Sequence, residues 1–245
     1  KKLGIDRATW TVMVDAFRGT LVYPEDPGYN ADRQESNPAF QAYPLLIAYC
    51  QTFDDVRLCL AWAHQFNWWV ACRAGGHSTA GYSVNSGVVI DVSRIDYVHG
   101  DPTAKGAVVG AGTSFGLLNA QLNTFGLHVP GGGCQDVCVA GYMQGGGYGF
   151  TSREFGIQSD NVLSVLVMLA TGGIVEASRA VNPDLFWAIR GGTGGNFGVL
   201  LEIRYQLRDL GPLWGFGLQW SRPQDWARAL QTMQQNTQVD FQLDL

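Results

Sequence analysis

The stretch that organises this chain is PGGGCQDVCVAGYMQGGGYG at residues 130–149, here called the glycine stretch. Its glycines form two clusters, at 131–133 and 145–147, and Cys134 borders the first cluster. Glycine loses the most backbone entropy on folding, so it is concentrated where the backbone bends unusually or approaches another group closely. Two interpretations follow from this stretch alone: a backbone wall against a large flat ligand with Cys134 facing it, or a glycine-rich surface loop.

A second stretch, RAGGHSTAGYS at residues 73–83, is here called the histidine loop. Glycines flank its single histidine, His77, and strand-like runs lie on both sides. A loop of this kind can turn successive backbone N–H groups toward an anion such as a pyrophosphate. Cys134 follows His77 by 57 residues (134 − 77). The histidine loop is a weak motif by itself, but the two stretches together favour a ligand-binding interpretation of both.

Composition restricts the class of protein. The 245 residues allow one large domain or two small ones, and a hydrophobic content of 46% is too high for a disordered chain. A formal net charge of −5 argues against a general nucleic-acid binder. No apolar run has the length of a membrane span. The chain starts KKLGID without an apolar run behind the lysines, so we expect a signal peptide to be absent or already removed. The compartment, secreted or cytoplasmic, stays open.

The five cysteines do not have the spacing of a zinc site, and we predict no metal. Cys50, Cys59 and Cys72 lie in apolar runs and are interpreted as small core residues. Cys138, four residues after Cys134, is interpreted as a packing residue. No disulfide framework is needed.

Hydrophobic periodicity predicts a β–α–β unit over residues 43–92. Runs at 43–50, 68–73 and 87–92 are typical of buried strands, and Thr52 with Asp55 has the spacing of a helix-capping box. The histidine loop then lies at a strand end, a common place for ligand loops. Before this unit we predict a short helix over Trp10 to Phe17 and a surface loop over the polar run 24–38.

After the β–α–β unit the predicted elements alternate. They are a strand at 107–111, a helix from Ser114 ending at Gly126, a strand pair at 162–170 and 174–177 joined at 171–173, a helix from Asn182-Pro183, and a strand at 199–207. Beyond Gly211-Pro212 we predict a strand at 213–220, a helix from Pro223 to about Gln235 and a strand at 239–245. The last strand has no later partner, so we expect the chain to be a fragment with a second domain cut off.

The two glycine-rich stretches together resemble the FAD-linked oxidases of the berberine bridge enzyme and oligosaccharide oxidase type, which have the vanillyl-alcohol oxidase/PCMH flavoprotein fold. The match continues through SREFGIQSDNVLSV (152–165), TGG (171–173) and NPDLFWAIRGGTGGNFGV (182–199). The resemblance implies an α+β fold: a PCMH-type FAD-binding domain of two packed α/β subdomains at 41–211. An N-terminal segment at 1–40 precedes it, and the first β-α-β of a truncated substrate domain follows at 212–245.

The resemblance also implies where FAD is held. It implies a bond from a ring nitrogen of His77 to the 8α-methyl group of FAD, and a second bond from the sulfur of Cys134 to the 6-position of the flavin ring. The second bond requires a thiolate beside an electron-poor ring. The further cofactor-binding residues implied are Arg73, Ala74, Gly75, Gly76, Ser78, Gly81, Tyr82, Pro130, Gly131, Gly133, Val137, Gly141, Gly145, Gly146, Gly147, Gly149 and Val175.

The implied activity is oxidation of an alcohol, a hemiacetal or an activated C–H bond in an oligosaccharide or a secondary metabolite, with dioxygen reduced to hydrogen peroxide. A small residue at Val137 favours an oxidase over a dehydrogenase. Thr79 departs from the aromatic residue that sugar oxidases often have two positions after the histidine, which weakens a sugar assignment. Tyr148 is the candidate catalytic residue, as a proton relay or, alternatively, a packing aromatic.

The sequence leaves three alternatives open. They are a flavin dehydrogenase of the same fold, a non-catalytic FAD-binding electron-transfer subunit, and a scaffold that has lost flavin. The expected partners are the small-molecule or oligosaccharide substrate, dioxygen and the remainder of the polypeptide, with no nucleic acid and no membrane. In relatives the catalytic base usually comes from outside the FAD-binding domain, so the chain alone is expected to be inactive.

Overall fold

The structure is a computed structural model that describes residues 3–213, 219 and 222–235. Its strands are β1 Thr20–Val22, β2 Leu46–Tyr49, β3 Val70–Arg73, β4 Val88–Asp91, β5 Val98–Asp101, β6 Gly106–Gly110, β7 Leu127–His128, β8 Val162–Met168, β9 Ile174–Ser178, β10 Val199–Gln206 and β11 Arg208–Asp209. Its helices are α1 Arg7–Val14, α2 Tyr29–Asp32, α3 Phe53–Phe66, α4 Phe115–Asn123, α5 Val139–Gln144, α6 Ser152–Phe155, α7 Pro183–Ile189 and α8 Trp226–Gln235, with 3₁₀ turns at Gln158–Asn161 and Pro223–Asp225.

The first sheet has the strand order β1-β2-β4-β3. Strands β2, β4 and β3 are parallel, and α3 connects β2 to β3, so the predicted β–α–β unit is confirmed. Every residue of β4 is buried, as expected for a parallel strand covered on both faces. The predicted capping box is also confirmed: Thr52 accepts from the Asp55 N–H at 3.1 Å, and the Asp55 carboxylate accepts from the Thr52 N–H at 3.0 Å.

The second sheet is antiparallel, with the order β5-β6-β10-β8-β9. The predicted hairpin at 162–177 forms β8 and β9. The alternation predicted for 199–207 is confirmed, since Val199, Leu201, Ile203, Tyr205 and Leu207 are all buried. Sequence reasoning missed β5, because its sequence VHGD lacks an apolar alternation and the strand is a half-exposed edge.

The two sheets share one hydrophobic core. Buried side chains of the first sheet, such as Leu46, are continuous with those of the second, such as Val109 and Val165. Val139 and Met143 bring one face of α5 into the same core. Two α/β layers packed together agree with the predicted α+β fold of two subdomains, and α5 anchors the glycine stretch to their junction.

The polar run 24–38 is not a simple surface loop, so that prediction was wrong. It contains α2, and Tyr29, Arg33 and Glu35 are buried. The Arg33 guanidinium donates hydrogen bonds to the side-chain oxygen of Gln41 at 2.8 Å and to the carbonyl of residue 42 at 3.2 Å. Long-range partners of polar side chains leave no periodic pattern in a sequence, which is why this burial was missed.

The elements predicted near the two ends of the chain are confirmed only in part. The predicted N-terminal helix is present as α1, although Phe17 lies beyond its end. The helix predicted from Pro223 is confirmed as a 3₁₀ turn followed by α8. The strands predicted at 213–220 and 239–245 fall largely or wholly outside the described residues. The proposed domain boundaries near residues 40 and 211 stay predictions.

Candidate functional site

The histidine loop and the glycine stretch meet at a cavity of about 410 Å³. The third wall comes from residues 193–195, between α7 and β10. Of the residues proposed from the sequence, those that line this cavity are Arg73, Ala74, Gly75, Gly76, His77, Ser78, Tyr82, Val137, Gly141, Gly145, Gly147 and Tyr148. The structure therefore brings both stretches to one site, although 57 residues separate His77 from Cys134.

Glycine at position 75 permits the two loops to touch through their backbones. A Cβ atom on Gly75 would lie 3.0 Å from the Cys138 nitrogen and 3.1 Å from the Asp136 carbonyl oxygen. Gly76 has a φ of +70°, which disfavours other residue types. Both glycines are thus required by the local geometry, one by close approach and one by backbone conformation.

The remaining predicted residues lie outside the cavity lining: Gly81, Pro130, Gly131, Gly133, Cys134, Gly146, Gly149 and Val175. Gly149 packs on the carbonyl oxygen of Gly131, where a side chain would overlap it, so the two glycine clusters close on each other. Val175 lies on strand β9 opposite Val167 and packs against the core. These residues support the walls of the site or the sheet behind it.

His77 is held at both ring nitrogens. Nδ1 lies 2.8 Å from the Ser36 hydroxyl oxygen, and Nε2 lies 3.1 Å from an Asp136 carboxylate oxygen. The Ser36 N–H also donates to the Gly76 carbonyl at 2.9 Å. The segment after α2 therefore fixes the histidine loop from one side and residue 136 fixes it from the other. Sequence reasoning found the histidine and missed both partners.

The positive charge of Arg73 is neutralised by a buried carboxylate. Its guanidinium forms an ion pair with Asp91 in which the two side chains are 4% and 2% exposed. It also donates to the Asp32 carbonyl at 2.6 Å. Because these contacts bind the guanidinium, Arg73 orients the end of β3, from which the histidine loop starts, and contributes little free charge to the cavity.

Cys134 is an exposed free thiol beside the cavity wall. The adjacent Tyr142 lines the cavity and donates its hydroxyl to the Tyr148 carbonyl. Burial raises the pKa of Tyr142, and Tyr148 and Cys134 add smaller contributions in the same direction. The ring of Tyr148 is 74% exposed and faces the cavity. Its predicted proton-relay role stays a prediction.

Three residues that line the cavity were not predicted from the sequence, although they lie in a glycine-rich segment that could have indicated them. Thr193, Gly194 and Gly195 lie in GGTGGNFG, inside the segment 182–199 that carries part of the family resemblance. The Thr193 N–H donates to the Gln144 carbonyl at 3.2 Å, which ties this wall to α5. Thr193 also has a φ of +66°, an uncommon conformation for threonine.

Two further cysteines border the cavity. Cys72, predicted to be a core residue, is only half-buried and lines the cavity, so that prediction was incomplete. Cys138 is buried, as predicted, and its thiol donates to the Gly112 carbonyl at 3.1 Å. Burial raises the pKa of Cys72 to about 11 and that of Cys138 to about 12. Both thiols are protonated at neutral pH, which makes them poor nucleophiles.

Glu35 is a buried carboxyl group behind the histidine loop, 6% exposed. Neither of its oxygens reaches a hydrogen-bond partner in the described part of the chain. Burial raises its pKa, and the nearby Ser83 and Arg73 oppose that shift. A carboxyl whose pKa is higher in the folded state binds more protons there. Folding stability therefore falls as the pH rises from the ordinary pKa of 4.5 through the folded value.

We expect Glu35→Gln to raise the free energy of unfolding at pH 8 by about 1 kcal/mol, because the amide has the size of the carboxyl group but no charge whose burial opposes folding. The gain should shrink as the pH falls and should vanish below 4.5, where the wild-type carboxyl is protonated in both states. Urea unfolding at several pH values measures both effects. A gain that is independent of pH would show that the pKa of Glu35 is the same in the folded and unfolded states.

The cavity fits a large planar group such as a flavin at its glycine wall. A Cβ atom on Gly141 would meet no atom within 4 Å, so this helical glycine leaves open space on the cavity side of α5.

Among the described residues, no cluster of histidine, cysteine and carboxylate side chains could hold a metal ion. Within the same residues, no helix combines the length and the apolar character needed to cross a bilayer.

Comparisons with known proteins point to the same cofactor. Residues 44–178, more than half of the chain, match the family described as FAD binding domain. The (R)-6-hydroxynicotine oxidase of Paenarthrobacter nicotinovorans is 34% identical over 196 residues, which are 80% of this chain and 43% of that protein. The carbohydrate oxidase of Microdochium nivale is 34% identical over 182 residues, 72% of this chain and 37% of that protein.

A solved structure shares the fold. Physcomitrella patens BBE-like 1 has a TM-score of 0.77 and 31% identity, and the match covers 81% of this chain and 44% of that one. The chain thus spans less than half the length of each of these relatives.

Proposed function

Because the chain belongs to the FAD-binding domain family of the FAD-linked oxidoreductases, we propose that the complete protein is an FAD-dependent oxidase with its flavin attached covalently through His77 and Cys134. The observation that carries the proposal is the single cavity at which the histidine loop, the glycine stretch and residues 193–195 converge. A non-catalytic scaffold that had lost flavin would have no need to keep this glycine-walled cavity open.

The residues of this chain would bind and orient the cofactor. Backbone of the histidine loop, with Gly75 and Gly76 in the lining, offers a concave surface for the pyrophosphate. Gly141, Gly145 and Gly147 leave the space that a planar ring system needs. Bound FAD would supply the redox chemistry, accepting a hydride, which is two electrons and one proton, from the substrate.

Covalent attachment through two residues is consistent with their positions. His77 lies in the cavity lining, and residue 136, two positions after Cys134, contacts the His77 ring. Cys134 itself is exposed and close enough to Tyr142 to influence its pKa. Of the five cysteines it is the exposed one, so its thiol is accessible to an electrophilic ring position.

The substrate is proposed to be an alcohol, a hemiacetal or an activated C–H compound, in an oligosaccharide or a secondary metabolite. The relatives named above include an oxidase named for 6-hydroxynicotine and one named for carbohydrate. The cavity mouth carries the exposed rings of Tyr82 and Tyr148, which offer stacking surfaces for either class.

Dioxygen is proposed as the electron acceptor because Val137, a small side chain, lines the cavity. The test uses the full-length protein with substrates of both classes, first without oxygen and then with air. An oxidase should bleach its yellow colour anaerobically and release one hydrogen peroxide per substrate oxidised in air. Bleaching without reoxidation by air would favour a dehydrogenase, and a colourless protein would favour the scaffold alternative.

A further inference from the structure

We propose that Asp136 is a positioning residue that makes Nδ1 of His77 the nitrogen through which flavin is attached, an inference that rests on the proposed function. The inference is based on the two contacts of the His77 ring. Nε2 lies 3.1 Å from the Asp136 carboxylate, and Nδ1 lies 2.8 Å from the Ser36 hydroxyl oxygen.

These partners assign the tautomer of the imidazole. An ionised carboxylate can only accept a hydrogen bond, so Nε2 must carry the proton that points at Asp136. A neutral imidazole carries one ring proton, so Nδ1 has a free lone pair. The Ser36 hydroxyl, which can donate or accept, then donates to Nδ1. Asp136 thus leaves the nucleophilic lone pair on Nδ1.

Backbone contacts place Asp136 and His77 independently of their side chains. The Asp136 carbonyl packs against Gly75 at the start of the histidine loop. On the other side, the Ser36 N–H holds the Gly76 carbonyl at 2.9 Å. The Asp136 side chain is 78% exposed, so its pairing with His77 contributes little to folding. The carboxylate can therefore be replaced with the two loops still in place.

A bond forms between Nδ1 of His77 and the 8α-methyl carbon of FAD. The methyl carbon loses one proton, and His77 loses its Nε2 proton. Two electrons stay on the flavin, which takes up two protons and is reduced. Dioxygen, the co-reactant, then accepts two electrons and two protons as hydrogen peroxide and restores the oxidised flavin.

Asp136 and Ser36 have opposite roles in this step. As Nδ1 forms its bond, positive charge develops on the imidazole, and the carboxylate at Nε2 stabilises that charge and accepts the proton. Ser36 donates to the lone pair that must react, so its hydrogen bond must break first. We therefore expect removal of Asp136 to slow attachment and removal of the Ser36 hydroxyl to leave it unchanged or faster.

The test is carried out in the full-length protein with Cys134→Ala, so that only the His77 bond is counted. Flavin-free protein is mixed with saturating FAD, samples are quenched in acid, and the fraction carrying a flavin mass increment is followed over time. Asp136→Asn and Asp136→Ala should slow attachment about 10-fold or more, because a positioned acid–base partner typically contributes roughly 10²- to 10⁴-fold and this one is exposed. Ser36→Ala should attach at least as fast as the parent.

Asp184→Asn is the matched control, since it removes an exposed carboxylate from the first turn of α7. It should attach at the parental rate. The melting temperature and the FAD fluorescence quenching of each variant should be unchanged, which separates slow bonding from poor folding or weak binding. A second readout is the attachment site: the released histidyl-flavin should be the Nδ1 isomer, which borohydride reduction distinguishes from the Nε2 isomer.

Asp136 variants that attach flavin at the parental rate would overturn the inference, as would attachment of the parent through Nε2. In both cases His77 still carries flavin, so the proposed function survives. A parent that binds FAD but never gains the mass increment would overturn the inference together with the His77 assignment.

Discussion

Replacing Gly141 by valine is expected to weaken FAD binding strongly and to leave the fold intact. Gly141 lies in α5 and faces the cavity, and a Cβ atom added there would meet no protein atom within 4 Å. Valine is also no worse than glycine as a helix residue, so the folded protein should lose no stability. The added methyl groups would occupy space that the proposed function assigns to the cofactor.

Overfilling a packed site costs about 1–3 kcal/mol, which corresponds to a loss of affinity of about 5- to 150-fold. The measurement is FAD titration by fluorescence quenching in the His77→Ala/Cys134→Ala background, where binding is reversible. Gly106→Val is the control, because Gly106 lies on β6 away from the cavity lining and a Cβ there meets nothing closer than 3.7 Å. If Gly141→Val binds FAD as tightly as this control, the glycine wall does not contact the cofactor.

Replacing Asp91 by alanine should produce the largest loss of stability expected here. The substitution leaves the Arg73 guanidinium buried beside an empty space, since the two side chains are 4% and 2% exposed. Removing one partner of a buried ion pair typically costs about 3–5 kcal/mol. The Ser93 N–H, which donates to Asp91 at 2.9 Å, also loses its acceptor. Urea unfolding of the full-length protein measures the change.

Asp54→Ala is the matched control, because Asp54 pairs with Arg57 at the surface, with side chains 78% and 45% exposed. Exposed pairs contribute at most about 1 kcal/mol. Equal losses for the two variants would show that the Arg73 pair is accessible to water. Because Arg73 ends β3, where the histidine loop begins, Asp91→Ala should also lower the fraction of protein that carries flavin.

The elements that the sequence predicted well are those whose own residues determine them. The β–α–β unit, the capping box at Thr52 and the alternating strand β10 each follow from local periodicity or from a local hydrogen bond. The glycine clusters were also found, because unusual composition is visible in the sequence itself. The glycine stretch and the histidine loop line one cavity, which agrees with the ligand-binding interpretation over the surface-loop alternative.

The features that the sequence did not predict depend on contacts between distant residues. Ser36 touches His77 across 41 positions, and polar side chains at such a distance leave no pattern to detect. The closure of Gly149 on Gly131 depends on the path of the backbone. Cys72 shows the same limit, since its apolar neighbours indicated the core, whereas its place beside Gly195 puts it at the cavity edge.

The most direct test of the covalent flavin site is the intact mass of the acid-denatured full-length protein, compared for the wild type, His77→Ala, Cys134→Ala and the double variant. We expect the wild type and both single variants to keep a flavin-sized mass increment and the double variant to lose it. A wild-type protein with the mass of the polypeptide alone would contradict covalent attachment at His77 and Cys134.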